Sequence, residues 1–134
     1  MPDYLLDTNI LIEILRNSPT VLAHMRAAIT AGRDVQINAL SYYETRRGLL
    51  NTLRADKLRK FDAFCRVFGI VHLDQAALDR ASEIYADLEK KGELIEDADI
   101  LIAGMALVNH AVLVTDDISH FKRVVGLALE NWMK

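Results

Sequence analysis

Short apolar segments alternate with stretches of helical periodicity along this chain of 134 residues. Tyr4–Leu6 and Val112–Thr115 are the clearest of these segments, and Val35–Asn38 is also typical of a strand. Because strands without a polar face are buried on both sides, the pattern favours a parallel sheet with helices on each face. A chain of this length commonly forms one compact domain. We therefore expect a single-domain α/β/α sandwich with a central parallel sheet over residues 1–134.

Several predicted elements begin or end at recognisable signals. Ser18 followed by Pro19 is typical of a helix N-terminus, and Gly69 and Gly92 are typical of helix ends. The predicted helices are Ile10–Arg16, Pro19–Ala31, Ser41–Leu53, Asp56–Phe68, Gln75–Lys91 and Glu96–Asn109. The two remaining predicted strands are Ile70–Leu73 and Leu127–Leu129.

Composition limits the functions that this chain can have. The 16 basic and 19 acidic residues give a formal net charge of −3, so binding to nucleic acid requires a local basic patch or a bound metal ion. The lone Cys65 has no intramolecular disulfide partner, and no Cys/His spacing is typical of zinc. The longest apolar run, Ile100–Val108, has nine residues, whereas a membrane helix needs about 20. The first residues include Asp3 and Asp7, whereas a signal peptide begins with basic residues. We therefore expect a cytoplasmic protein without a membrane-spanning helix.

Acidic residues follow the predicted strands. Asp7 follows the first strand directly, Asp116 and Asp117 follow Val112–Thr115, and Glu44 and Asp99 lie in the first turns of two predicted helices. The ligand crevice of an open α/β sheet lies beyond the carboxyl ends of its strands, so these acids can reach one rim. Carboxylates that converge without a basic partner raise one another's pKa. Oxygen-only ligation suits Mg²⁺ or Mn²⁺, and the pattern predicts a site for such an ion.

Each acid also has a purely structural explanation. Ser41-x-x-Glu44 is typical of a capping box, and Asp97 and Asp99 can complement the positive end of a helix dipole. Asp7-Thr8-Asn9 can form a turn with an Asx hydrogen bond. Each explanation accounts for one acid, whereas the recurrence of four acids at one predicted rim favours the metal site.

Four segments resemble, in the same order, the four signatures of the PIN domain. They are Leu5–Ile10, Ser41–Glu44, Asp99–Gly104 and Val114–Asp117, the last of which leads to Phe121. The chain length and the tail from Val125 to Trp132 are similar to those of single-domain PIN ribonucleases of the VapC toxin type. The resemblance covers nearly the whole chain.

This resemblance implies a metal-dependent endoribonuclease in which one or two Mg²⁺ or Mn²⁺ ions activate water for attack on an RNA phosphodiester. The acids that match the metal ligands of the family are Asp7, Glu44, Asp99 and Asp117. The polar residues that match positions supporting those ligands are Thr8, Asn9 and Thr115. Asp97 and Asp116 are extra acids beside the matched ones and are candidates for further metal contact.

Positive charge is concentrated in one segment of the chain. From Arg46 to Arg66 the sequence contains seven basic residues and two acids. We expect this segment to bind the RNA backbone through Arg46, Arg47, Arg54 and Lys57. A solvated helical face with ion pairs explains the same charges. The histidines lack metal-binding spacing, and we expect surface or partly buried positions for His24, His72, His110 and His120.

Two other functions are compatible with parts of the pattern. A phosphatase of the haloacid dehalogenase type also has Leu-Leu-Asp after a strand and a late Asp pair, but its nucleophile motif needs a second Asp where this chain has Asn9. A PIN-like binding module with a degenerate site is the alternative that is not an enzyme. The presence of all four matched acids argues against it.

The resemblance also implies partners. VapC-type toxins are held by a small antitoxin of the VapB type, and we expect such a protein to lay a helix along a hydrophobic groove and to extend a basic side chain toward the acids. The predicted groove comprises apolar positions of the first helices and of Tyr42–Leu53, and packing in the core explains the same pattern equally well. A homodimer is also expected, because family members commonly pair.

Overall fold

A computed structural model describes residues 2–134 and has a five-stranded parallel sheet at its centre. The strands lie in the order β3-β2-β1-β4-β5. Their bounds are β1 Tyr4–Leu6, β2 Val35–Asn38, β3 Ile70–Val71, β4 Val112–Val114 and β5 Leu129–Glu130. The predicted central parallel sheet is therefore confirmed.

Helices cover both faces of this sheet. Their bounds are α1 Thr8–Leu15, α2 Pro19–Thr30, α3 Ala39–Asn51, α4 Ala55–Phe68, α5 Gln75–Lys91, α6 Asp97–Val108 and α7 Ile118–Phe121. The apolar side chains of α1 to α4 pack on one face together with Leu6 and Val114. Those of α5 and α6 pack on the other face together with Leu5 and Leu113. Since neighbouring strand residues point to opposite faces, both faces are buried and the α/β/α sandwich is confirmed.

The direction of strand order reverses between β1 and β4. From β1 the chain adds β2 and β3 on one side, and it then crosses to place β4 and β5 on the other. Leu6 is in register with Val114, and the Asp7 backbone N–H donates to the Val114 carbonyl at 2.9 Å. The residues that follow β1 and β4 therefore lie side by side at a topological switch point, where open α/β sheets bind ligands.

Helix starts differ from the predictions at two strand ends. α3 begins at Ala39 instead of Ser41, because the Asn38 side chain accepts a hydrogen bond from the Ser41 backbone N–H and caps the helix. α1 begins at Thr8 instead of Ile10, because the Asp7 side chain accepts from the Thr8 backbone N–H. Both helices thus begin directly at the end of a strand.

Other bounds agree or need small corrections. α5 spans the predicted residues and ends at Gly92, which adopts the left-handed conformation with φ of 65°. β5 is Leu129–Glu130 and begins two residues later than the predicted start at Leu127, because the chain first turns at Gly126 with φ of 82°. β3 is two residues shorter than predicted, and the helical turn α7 was not predicted. No helix in residues 2–134 has the length and apolar character needed to cross a membrane.

Candidate metal centre

Five acids lie near the β1–β4 switch point and are called the acidic cluster here: Asp7, Glu44, Asp99, Asp116 and Asp117. Asp7 is held in place by hydrogen bonds. It is 6% exposed and forms the N-cap of α1. One carboxylate oxygen accepts from the Thr8 backbone N–H and the other from the Thr115 hydroxyl, each at 2.8 Å. The carboxylate therefore has a fixed orientation before any ligand binds.

The environment of Asp7 disfavours its negative charge. Burial raises the pKa of Asp7. The hydrogen bonds from Thr115 and Thr8 oppose this rise, and the neighbouring charges of Glu44 and Asp116 add to it. A cation beside Asp7 would remove this penalty.

Asp99 belongs to the same cluster. It lies in the first turn of α6, as predicted, and is partly buried. Burial, followed by the charges of Asp7 and Asp117, raises its pKa to about 6. Asp7 and Asp99 thus repel each other across the switch point although they are far apart in the sequence.

Asp117 is the N-cap of α7 and has the opposite shift. Burial alone would raise its pKa, but hydrogen bonds from the His120 ring and backbone, the His120 charge and the Ser119 hydroxyl together lower it. His120 Nδ1 lies 2.8 Å from an Asp117 oxygen. Thr115 connects the two strand ends, because its hydroxyl donates to Asp7 and accepts from the Asp117 backbone N–H at 3.0 Å.

Sequence reasoning missed the position of His120. Its surface location was predicted, and the ring is exposed. Ligand atoms of Asp99, Asp117 and His120 all lie within 4.8 Å of one another, so these three side chains could hold one metal ion. The signal in the sequence is the Asp117-x-x-His120 spacing, which brings the two side chains together only if a helical turn follows β4.

Glu44 approaches the cluster from α3. The Thr8 hydroxyl lies 2.9 Å from the Ser41 hydroxyl and 3.4 Å from a Glu44 carboxylate oxygen. Ser41 does not form the predicted capping box with Glu44, because Asn38 caps the helix and Glu44 lies in its second turn. The Asn38 amide also donates to the Leu6 carbonyl at 2.9 Å, which fixes α3 to the end of β1.

Asp116 and Asp97 have different surroundings. Asp116 is exposed and accepts a hydrogen bond from the Asn9 amide, so Asn9 holds an acid at the rim of the cluster. Asp97 is exposed and lines a separate cavity between α5 and α6 beside Tyr85. The structure thus brings Asp116 to the cluster and directs Asp97 toward α5.

No lysine or arginine within residues 2–134 forms an ion pair with Asp7, Glu44 or Asp99. His120 is the one ion-pairing partner of Asp117 among these described residues. Converging carboxylates without a lysine or arginine partner, two of which, Asp7 and Asp99, have raised pKa values, fit a divalent cation with oxygen ligands. The donor set therefore suits the predicted ion.

The predicted basic residues divide into two pairs. Arg46 donates to Asp62 at 2.7 Å, and the Arg47 guanidinium lies 5.1 Å from the centre of the Tyr43 ring. Arg54 and Lys57 instead line a groove between α1, α3 and α4. The groove has a volume of about 290 Å³, and Thr8 and Glu44 of the acidic cluster also line it.

Thr45 lies in this groove beside Glu44. It is 6% exposed, and its hydroxyl is the only buried side-chain polar atom of residues 2–134 that has no hydrogen-bond partner. A helical threonine commonly bonds to the carbonyl three or four residues earlier. An unpaired buried hydroxyl costs about 1–3 kcal/mol.

Comparisons with known proteins place this chain in one family. The family model of the PIN domain matches residues 4–127. Ribonuclease VapC2 of Rickettsia felis is 30% identical over 132 residues, which make up 98% of each chain. The tRNA(fMet)-specific endonuclease VapC of Shigella flexneri is 28% identical over 133 residues, 98% of this chain and 99% of that protein. The crystal structure of VapBC2 from Rickettsia felis bound to a DNA fragment from their promoter aligns with a TM-score of 0.87 and 27% identity, covering 96% of this chain and 98% of that one.

The fold, the order of the acids and these matches have one explanation, which is that the chain belongs to the PIN domain family. Within that family it is similar along nearly its whole length to VapC ribonucleases.

Proposed function

We propose that this chain is a divalent-metal-dependent endoribonuclease, uses Mg²⁺ or Mn²⁺, and is the toxin of a toxin–antitoxin pair. One observation carries the proposal: acids from four separate segments converge at the β1–β4 switch point with no lysine or arginine paired to Asp7, Glu44 or Asp99 among residues 2–134. A nuclease is supported by relatives named ribonuclease and endonuclease that align over nearly the whole chain. We further propose that residues 1–134 act as one domain.

The proposed metal ligands are Asp7, Glu44, Asp99 and Asp117. A divalent ion bound there would lower the pKa of a water molecule and neutralise charge on the phosphate. Thr115 orients Asp7, and His120 favours the anionic form of Asp117. Because the pKa of Asp99 is about 6, this side chain is mostly ionised at neutral pH and can act as a ligand.

The substrate of this proposal is RNA, an anion that bare carboxylates would repel. Arg54 and Lys57 supply positive charge in the groove beside Glu44. Arg47 lies over the Tyr43 ring on the exposed side of α3 and offers a further phosphate contact. Arg46 forms an ion pair with Asp62, so we expect it to contribute less to RNA binding.

The proposed partner is a small antitoxin that covers apolar surface near the cluster. The VapBC2 structure is one observation that supports this partner. The other is an apolar surface where α3 meets α4, with Leu50 51% exposed and Leu53 89% exposed. A basic side chain of the antitoxin would pair with the acids. We also propose a homodimer, which light scattering on the purified chain would test.

The phosphatase alternative is not favoured. Asn9, at the position where that reaction needs a second acid, donates its amide to Asp116 and has no acid–base chemistry of its own. A degenerate binding module is also not favoured, because all four acids are present. Catalytic cleavage of RNA by the purified chain would exclude this second alternative.

The decisive experiment is cleavage of an RNA pool with Mg²⁺ or Mn²⁺ by the wild-type chain and by Asp7→Asn. We expect cleavage by the wild type only when the ion is present, and none by Asp7→Asn although its thermal melt remains cooperative. Asp87→Asn, on the exposed side of α5, is a matched control that should cleave normally. Equal cleavage by Asp7→Asn and the wild type would rule out the proposed metal site.

Toxicity is tested in the host cell. We expect expression of the wild-type chain alone to slow growth, Asp7→Asn to relieve this, and a small protein encoded by a neighbouring gene to restore growth and form a stable complex. If the wild-type chain is harmless after every such neighbour is deleted, the toxin role is wrong while the nuclease activity can still stand.

A further inference from the structure

We propose that the groove between α1, α3 and α4 binds one nucleotide of single-stranded RNA next to the bond that is cleaved. This inference rests on the proposed nuclease function and adds a substrate subsite to it. The groove begins at the acidic cluster, because Thr8 and Glu44 belong to both. A nucleotide attached to the scissile phosphate therefore meets this groove directly.

The unpaired hydroxyl of Thr45 is the observation that points to a ligand. Thr45 lines the groove and is 6% exposed, and its hydroxyl makes no hydrogen bond to any group of residues 2–134. Native proteins pair nearly all buried polar atoms, and exceptions commonly mark functional positions. A sugar hydroxyl or base edge of a bound nucleotide would supply the missing partner.

The other groove residues match the parts of a nucleotide. Arg54 and Lys57 lie at the end contributed by α4 and can bind a phosphate. Ile12, Leu15 and Leu49 provide an apolar wall for a sugar or base. The volume of about 290 Å³ is at the small end of ligand pockets, which suits a single nucleotide. Proteins read single-stranded RNA by such contacts to unstacked bases.

A peptide helix fits the neighbouring surface better than this groove. Leu50, Leu53 and Leu58 line that second surface, which is almost wholly apolar. Arg54 lies at the border and lines both, but the groove also contains the cations Arg16 and Lys57, the Glu44 carboxylate and the unpaired Thr45 hydroxyl. These polar groups would be left unsatisfied beneath an apolar helix face.

Two substitutions test the groove without changing its charge. Thr45→Val removes the hydroxyl at almost constant volume, and Gly48→Leu fills the groove. Gly48 lies within α3 and lines the groove, and a Cβ added there meets no atom of residues 2–134 within 4 Å apart from its chain neighbours and the surrounding backbone of α3. Both variants should melt at a higher temperature than the wild type, since one removes an unpaired polar atom and the other replaces a helical glycine.

The measurement combines RNA binding with cleavage kinetics on the full chain. The probe is a short labelled single-stranded RNA of mixed sequence, bound to each variant in the Asp7→Asn background. We expect Thr45→Val to weaken binding by about 3–10-fold, Thr45→Ser to retain it, and Gly48→Leu to weaken it more. In the active background these variants should raise KM with little change in kcat, because the acids are untouched.

Salt dependence tests the phosphate end of the groove. Lys57→Ala and Arg54→Ala should each reduce the slope of log affinity against log salt by about 0.7, the value for one contact to a single strand. Lys90→Ala and Thr30→Val, on α5 and α2 away from the groove, are matched controls that should bind as the wild type does.

The outcomes separate this inference from the function on which it rests. If Thr45→Val and Gly48→Leu fold and bind RNA as the wild type does, the nucleotide subsite is wrong, and a peptide of a partner becomes the better occupant. Intact cleavage by the groove variants with unchanged KM would also overturn the subsite but leave the nuclease proposal intact. Loss of metal-dependent cleavage by Asp7→Asn is the separate test of that proposal.

Discussion

Asp7 and Asp117 each cap a helix beside the switch point, but their pKa values shift in opposite directions. Asp7 follows β1, Asp117 lies three residues beyond β4, and each caps the helix that comes next. Burial raises the pKa of Asp7, whereas hydrogen bonds from His120 and Ser119 outweigh burial and lower the pKa of Asp117. Strand-end position therefore brings an acid to the site, but its surroundings decide how easily it carries charge.

The difference divides the cluster into two sides. On the buried side, Asp7 and Asp99 carry negative charge at a cost that a bound cation would remove. On the exposed side, Asp117 is already stabilised as an anion by its own helical turn. We expect the buried side to depend on metal for its stability and the exposed side to depend on His120.

The largest expected effect is on cleavage. Asp99→Asn and Asp117→Asn should reduce cleavage by more than about 100-fold, since loss of outer-shell partners alone costs about 10–100-fold. Asp97→Asn should have little effect because this side chain lies beside Tyr85 in another cavity, and Asp116→Asn should have an intermediate effect because it pairs with Asn9. All four are compared at one metal concentration. Equal losses for Asp97→Asn and Asp99→Asn would contradict the assignment of Asp99.

Melting temperatures without metal should move in opposite directions. Asp7→Asn should raise the melting temperature, because it removes a buried charge whose pKa is raised. Asp117→Asn should lower it, because the charge that it removes is stabilised by His120. A change of 1 kcal/mol corresponds to roughly 2–8 °C for domains of this size range. Calorimetry in chelator measures both shifts, and shifts of the same sign would remove the distinction between the two sides.

Lowering the pH should reduce the destabilisation that the charge of Asp99 causes in the metal-free fold. The pKa of Asp99 in the folded chain is about 6, above its usual 3.8, so the folded state binds this proton more tightly than the unfolded state does. Asp99 therefore destabilises the metal-free fold progressively as pH rises from about 4 through about 6. Asp99→Asn should raise the melting temperature in chelator more at neutral pH than near pH 4. A gain that is independent of pH would contradict the raised pKa.

The smallest effect is expected from His120. His120→Ala should raise the pKa of Asp117, because the ring and its charge lower it. Divalent-ion affinity should fall by about 10-fold or less at neutral pH. Titration calorimetry with Mn²⁺ measures this directly, with His24→Ala as the control, since His24 stacks on Trp132 away from the cluster. Unchanged affinity at every pH would exclude a role for His120 in the site.

The sequence predicted the elements whose signals are local. The strands Tyr4–Leu6 and Val35–Asn38 and the helix Gln75–Lys91 agree with their predicted bounds, because apolar runs and a terminal glycine delimit them. The parallel sheet and the rim position of Asp7 followed from the same alternation. The roles of the acids as metal ligands stay predictions.

The remaining features depend on contacts between distant segments. Asn38 ends a strand and caps a helix at once, which a search for the Ser41-x-x-Glu44 capping box cannot recognise. Asp97 and Asp99 point to different places, and this could not be predicted without knowing where α5 packs, because Asp97 faces that helix. His120 joins the cluster only through the short turn α7, which has too few residues for a helical periodicity.

The pairing of β1 with β4 also makes the acidic cluster depend on segments that are far apart in the order of synthesis. Asp7 is translated before the strand that pairs with β1, Val112–Val114, and before Thr115, which orients the Asp7 carboxylate. Asp99 and Asp117 are also translated after Asp7. A nascent or truncated chain that stops before β4 therefore lacks both the partner strand of β1 and part of the acidic cluster. We therefore expect a chain cut before β4 to show no metal-dependent cleavage of RNA.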